Sequence, residues 1–421
     1  MTTAHQSGSV ASECEQGFMT DSHVLGRQLH ASNRRRRLTS FALVAPLFIF
    51  LIFSYGFPIG TMLWQSVADK EVGTAFPQTV AALASWDGKS LPDEKVFRLL
   101  AADIKKARAD ETLAPAARRL NYDVSGFREA LFRTARRPPP ADTASVKDFL
   151  IGIDPAWSNL NYWGAIRNAA GPASLYYLLS AIDLRTDPAG SIVAKPEEAS
   201  IFIDIFIRTF EMSLVVTLLC VALGFPVAYL LASLPARLAY PLLVLVLVPF
   251  WTSLLVRTAA WVVLLQNRGI VNHALVDLHI LNEPTALIYN RLGAYVAMTH
   301  ILLPYFILPL YSVMKGISPN YMRAAASLGA RPIRTFIKVY LPQCASGITA
   351  GCLLVFTVAI GFYITPALVG GAADQMISYY IAFYTNTAAN WGLACALSVW
   401  LLAATFILYV VYSRLVARPI I

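Results

Sequence analysis

Six stretches of this chain are apolar for long enough to leave it few ways to fold. They run roughly 38–64, 205–233, 239–265, 290–314, 345–368 and 393–413. An α-helix rises about 1.5 Å per residue, so about 20 apolar residues carry it across the hydrocarbon core of a bilayer. In lipid a backbone N–H or C=O has no water to bond, so each segment must satisfy its own backbone. The two-residue alternation of a barrel strand is absent, which leaves the helix. The expectation is an all-α polytopic membrane protein with six transmembrane helices. Pro46, Pro58, Pro226, Pro249, Pro304, Pro309 and Pro366 fall inside these runs and are expected to kink them, since each removes an intrahelical bond.

The charges divide the chain in two. Residues 69–200 hold 17 acidic and 17 basic side chains, so the net charge of +9 belongs to the remainder. Only 14% of all residues are charged, against roughly a quarter in a soluble domain. A soluble enzyme, a disordered chain and a disulfide-rich secreted module are excluded on this ground. The basic residues cluster beside the apolar runs and not on one folded patch, which is the signature of cytoplasmic loops and not of a nucleic-acid binder. Arg27 and the run Arg34, Arg35, Arg36 and Arg37 precede span 1. Arg237 lies between spans 2 and 3; Lys315, Arg323, Arg331, Arg334 and Lys338 lie between spans 4 and 5; Arg414 and Arg418 follow span 6. The other side has Arg268 and Arg291 in its short loop. Both termini and the 315–344 loop are therefore expected in the cytoplasm, and six crossings agree with that.

These readings divide the chain into a basic tail at 1–37, span 1 at 38–67, an extracytoplasmic insert at 68–200 and a core at 201–421. Ser66-Val67-Ala68 resembles a signal cleavage site, but the preceding run exceeds the 7–15 residues of a signal core, so an uncleaved anchor is expected. Within the insert, Glu94–Lys106 and Phe127–Ala135 have helical patterning, and Arg136-Arg137-Pro138-Pro139-Pro140 reads as extended polyproline. Gly88-Lys89-Ser90 ends like a phosphate-binding loop, yet Leu83 stands where its first glycine belongs; it is a turn. The cysteines (Cys14, Cys220, Cys344, Cys352, Cys395) form neither a disulfide framework nor a CxxC site, and the six histidines lack ligand spacing. No cofactor or metal site is expected in this chain.

The segment between spans 4 and 5 is the most specific. Arg323-Ala324-Ala325-Ala326-Ser327-Leu328 is a helix former of mostly small side chains, which lets another surface approach its backbone. Gly329 can end it in a left-handed conformation. A second amphipathic helix is expected at Ile333–Leu341, with Pro342 starting the next segment. Together they predict a helix–turn–helix over 317–343, lying flat on the membrane surface.

Here the sequence resembles the permease subunits of binding-protein-dependent ATP-binding-cassette (ABC) importers, whose signature is E-A-A-x-x-x-G-x(9)-I-x-L-P. Ala324 and Ala325 match the alanines, Gly329 the glycine, Val339 the isoleucine position and Leu341-Pro342 the ending, while Arg323 replaces the glutamate. Val248-Pro249-Phe250-Trp251-Thr252, Ile364-Thr365-Pro366-Ala367-Leu368, Asp374-Gln375-Met376-Ile377 and Asn390-Trp391 are similar to the first permease of spermidine/putrescine-type systems. The resemblance implies a type I importer permease in the bacterial inner membrane. It implies cytoplasmic ATPase subunits, which hold the ATP and Mg and grip this segment, a second permease that is a different chain, and a periplasmic solute-binding protein.

Charges inside the spans are expensive, about 2.5–3.5 kcal/mol at mid-membrane on insertion scales, and so face protein or a wet cavity. Arg257 either lines the solute path or pairs with a carboxylate. Glu211, with Asp374 and Tyr363, is expected to contribute to a route for a cationic solute, with Trp251 in the neighbouring aromatic run. Tyr379, Tyr380, Phe383 and Tyr384 read as an interfacial belt. His300 reads as a packed, hydrogen-bonded group. The rival readings are a secondary transporter or channel, which would show internal repeats, and a membrane sensor using 68–200, which would need a cytoplasmic output domain.

Overall fold

The computed structural model describes residues 40–140, 142–188 and 190–416. The basic tail at 1–37 and Arg418 lie outside them. Among the described residues six helices are long and apolar enough to cross a membrane: span 1, Ser40–Gln65; span 2, Phe202–Ser233; span 3, Leu254–Asp277; span 4, Arg291–Gly316; span 5, Pro332–Ile360; and span 6, Trp391–Arg414. Span 1 belongs to one compact unit and the chain from Gln65 onward to a second.

Two expectations about boundaries are corrected. The run 239–265 is not one helix. Ala236–Leu247 is a short helix, Val248–Trp251 tightens into a 3₁₀ turn, and a new helix begins at Leu254. Pro249 offers no N–H and Thr252 is extended, so the ladder stops there. Span 3 therefore lies later in the sequence, and it is itself broken between Leu265 and Ile270. The run 345–368 likewise divides: span 5 ends at Ile360, and Ile364–Val369 is a separate short helix.

The prolines act in more than one way. Pro226, Pro304 and Pro309 sit inside continuous helices. Pro58 and Pro342 each follow a π-helical stretch, Ile52–Gly56 and Phe336–Tyr340. A proline ring crowds the carbonyl four residues back and leaves it without a donor. The wider ladder lets the helix pass this point, with Phe57 N–H bonding Ile52 O and Leu341 N–H bonding Phe336 O.

Spans 2, 4 and 5 form the packed centre of the membrane part around Met212, Val216, Cys220, Met298, Leu302, Phe306, Cys344 and Val355. Phe306 fits between two glycines on its neighbours. A Cβ on Gly224 would lie 2.6 Å from its ring, and one on Gly351 would lie 2.8 Å away. In lipid, helices gain little from apolar burial as such, so close approach at small residues supplies the packing energy.

The insert is an almost wholly helical domain with its own core, in which Trp157, Trp163, Phe97, Phe127, Leu100 and Leu131 are fully buried. Helices at Glu94–Ala109 and Phe127–Arg136 form where the patterning placed them, and near the end of the insert Leu184–Thr186 and Ile192–Ala194 pair as a two-stranded antiparallel ribbon. Pro138-Pro139-Pro140 adopts no regular element. Gly88 turns with φ +78° and Lys89 N–H bonds the Asp87 carboxylate at 3.0 Å, a local turn. Arg119 is buried between Asp69 (2.6 Å) and Asp123 (2.7 Å) with the Tyr176 ring 3.8 Å from its guanidinium carbon. Burial pulls its proton affinity down, but the Asp123 and Asp69 charges outweigh this and hold it well above the ordinary value.

The insert is clamped to the membrane part. Asp183 accepts from the N–H groups of Ile201 (3.1 Å) and Ile203 (2.7 Å), capping span 2 from outside. Tyr177 lies against Gly392 at the start of span 6, and Trp400 Nε1 donates to Leu178 O at 3.0 Å. Tyr177, Phe202, Ile205, Ile377, Leu393 and Leu397 close a shared apolar cluster. Ser174 N–H donates to Val67 O at 2.8 Å, so the Ser66–Ala68 stretch is built into the insert.

Candidate functional site

The signature segment forms an elbow. Its first helix, Pro319–Ser327, starts at Ser318, whose hydroxyl accepts from Asn320 N–H. It ends through Gly329, at φ +81°, with Gly329 N–H bonding Ala326 O (2.9 Å) and Ala330 N–H bonding Ala325 O (3.1 Å). This is the paired termination that a left-handed residue after a helix allows. A Cβ at Gly329 would meet nothing within 4 Å, so backbone conformation and not space demands the glycine.

The second helix departs from expectation. It does not lie apart as Ile333–Leu341; it starts at Pro332 and continues through the π stretch into span 5. Leu341 and Pro342 open the α-helical part of span 5 directly after the π stretch, so the elbow's second helix runs unbroken into a membrane helix. Phe336 and Tyr340 fasten it to span 2 by edge contacts with Tyr229, with ring centroids 5.6 and 5.5 Å away. Val339 and Leu341 lie in this continuous stretch.

The elbow presents apolar side chains to its surroundings. Leu328 is 89% and Ile333 76% exposed, and Tyr321 and Ile337 are exposed as well. Residues 315–343 contain no acid, and among the described residues none of Lys315, Arg323, Arg331, Arg334 and Lys338 enters an ion pair with a carboxylate. Bare apolar side chains ringed by bases form a surface suited to a partner.

The intramembrane charges gather elsewhere. Arg291, the first residue of span 4, donates from Nη1 to Glu211 of span 2 at 3.2 and 3.5 Å, and from Nε to Asp374 at 3.0 Å. Asp374 lies in the Ala372–Asp374 turn between spans 5 and 6 and also accepts from Gly371 N–H at 3.1 Å. Glu211 and Asp374 are thus brought together, through an arginine that the sequence placed only as a loop charge. Its signal was its position at the end of a span on the same side as both acids.

The other candidates do not join this group. Tyr363 is half-exposed at the start of Ile364–Val369, and Trp251 is 76% exposed at the end of its 3₁₀ turn. Arg257 finds no carboxylate among the described residues, and its buried Nε has no hydrogen-bond partner. His300 Nδ1 accepts from Trp261 Nε1 at 3.2 Å. Tyr380 packs edge-on and Tyr384 tilted against Phe202. No group of three or more His, Cys, Asp or Glu side chains suited to a metal occurs among the described residues.

The arrangement is a helical bundle with a protruding signature elbow. Residues 199–420 match the family described as binding-protein-dependent transport system inner membrane component, and the chain belongs to that family. It is 32% identical over 214 residues to the spermidine/putrescine transport system permease protein PotB of Escherichia coli (strain K12), covering 51% of this chain and 78% of the relative. It is 33% identical over 207 residues to PotB of Haemophilus influenzae, covering 49% and 72%. It is 26% identical over 247 residues to the molybdenum transport system permease protein ModB of Mycobacterium bovis, covering 58% and 90%. The protein is accordingly a multi-pass inner-membrane permease subunit of an ABC importer, not an enzyme. ATP is hydrolysed by a separate partner subunit, and a binding protein delivers the solute.

Proposed function

We propose that this chain forms one half of a polyamine importer, paired with a second, different permease, with both termini and the elbow in the cytoplasm. The single observation that carries the mechanical part is the elbow itself: Ile333 stands bare on a helix continuous with span 5, and Leu328 stands bare just before it, across the Gly329 turn. A cleft on the ATPase subunit that receives Leu328 and Ile333 together would move span 5, because the helix that carries Ile333 runs unbroken into that span. The spans then reorient by alternating access around the central packing of spans 2, 4 and 5.

The polyamine assignment is supported by the two spermidine/putrescine relatives and by Glu211 and Asp374 at one end of the bundle. Carboxylates at the mouth of a route attract ammonium groups and repel anions. Spans 2–6, the insert and the elbow can be tested together in proteoliposomes holding this chain, its second permease, its ATPase and its binding protein. Labelled spermidine should enter only with internal ATP, and Leu328→Asp should abolish uptake while leaving the chain inserted. Uptake of molybdate in place of spermidine would sink the polyamine reading, and uptake without ATP would sink the coupling.

A further inference from the structure

The Glu211–Arg291–Asp374 group is unequal in a way that suggests a working part. Asp374 is nearly buried and has two fixed donors, Arg291 Nε and Gly371 N–H. Glu211 is half-exposed, and Arg291 is its one ion-pair partner among the described residues. Arg291 also occupies the first turn of a helix, where the aligned backbone dipoles disfavour a cation. Its place is therefore set by the two carboxylates and not by the needs of span 4. The three side chains by themselves carry one net negative charge, with Arg208 engaged beside them on Gln375 O at 3.3 Å. Glu211 further borders a cavity of about 530 Å³ whose other walls include Ile207, Phe210, Leu214, Leu353 and Phe356. An anionic group beside an apolar wall is complementary to an ammonium on a methylene chain.

Resting on the polyamine reading above, we propose that Arg291 is a latch that acts as a stand-in cation: it holds Glu211 while the route is empty, and the ammonium of an aliphatic polyamine passes by displacing it from Glu211 while Asp374 retains the guanidinium. Arg291 is a positioning and selectivity residue, competing with the solute for one carboxylate. A neutral solute has no charge with which to release it, and an anion would have to displace the carboxylates from Arg291 and not a cation from Glu211.

The test uses the assembled transporter in detergent and in proteoliposomes, with spermidine as probe. Equilibrium binding of spermidine to the assembly without its binding protein should tighten roughly twofold to fivefold in Arg291→Gln, the gain expected when a half-exposed competing pair is removed. Arg291→Lys keeps a competing cation and should stay near wild type. Glu211→Gln should lose the binding, alone and combined with Arg291→Gln. A residue that merely braces the bundle would lower thermal stability in Arg291→Gln without tightening binding. That outcome, or Glu211→Gln binding as wild type does, overturns the latch. If Arg291→Gln does not assemble, Arg291→Lys and Glu211→Gln decide: wild-type-like affinity in Glu211→Gln overturns the proposal, and lost binding with Arg291→Lys unchanged supports it. Failure of the wild-type assembly to import spermidine at all overturns the polyamine reading and this role with it, whereas normal import with unchanged variant affinities overturns the latch alone.

Discussion

Gly329 illustrates how a single residue can set the geometry of the elbow. Its φ of +81° closes the first elbow helix and turns the chain toward Pro332, and no neighbouring atom restricts its side. Gly329→Ala should therefore cost about 1 kcal/mol of local stability through backbone strain alone. Gly329→Asn should cost less, because asparagine tolerates the left-handed region. ATP-driven uptake by the two variants should fall in the order Ala below Asn below wild type; equal uptake by all three would show that the turn is not under strain. The sequence displayed this residue plainly, since a glycine after a run of helix formers carries its own conformational signal. Arg291 was not displayed in that way. Its carboxylate partners lie 80 and 83 positions away in the chain, and only the packing of spans 2 and 4 with the 372–374 turn brings them within bonding distance.

At the scale of elements, apolar length located the spans, and small residues decided how closely they pack. Phe306 occupies the space left by Gly224 and Gly351, so a side chain at either glycine must displace an aromatic ring. Gly351→Val should destabilise the detergent-solubilised protein by about 1–3 kcal/mol, the usual cost of overpacking. Phe306→Leu in the same chain should recover part of the loss, and a melting temperature unchanged by Gly351→Val would refute this account of the core. The breaks in the helices were less legible. Hydrophobicity is blind to whether a proline ends a helix, as at Pro249, or is absorbed by a π stretch, as at Pro342. The distinction matters for the proposed coupling, because absorption makes the elbow's second helix continuous with span 5.

At the scale of the molecule, the insert is fastened to the bundle. Asp183 supplies the first bonds of span 2, and Tyr177 and Leu178 engage span 6, so a movement of those spans carries the insert's last helix with it. Asp183→Ala should cost about 1–2 kcal/mol, the range of a lost helix cap with added strain at a residue whose φ is +58°. Hydrogen exchange should speed up first at the Ile201 and Ile203 amides; protection there equal to wild type would mean that the cap contributes nothing to the junction.

The sequence by itself determined that this chain lives in a membrane as helices, that a charge-balanced domain interrupts it, and where its signature elbow lies. Each follows from local quantities: apolar length, charge density and the spacing of a few small residues. Tertiary structure decided what those parts do to one another. It joined Arg291 to two distant carboxylates, seated Phe306 between glycines of two other spans, and tied the insert to spans 2 and 6. Such pairings depend on the crossing of helices far apart in the chain, and hydrophobic periodicity, which reports only the face a helix buries, carries no record of which partner that face will meet.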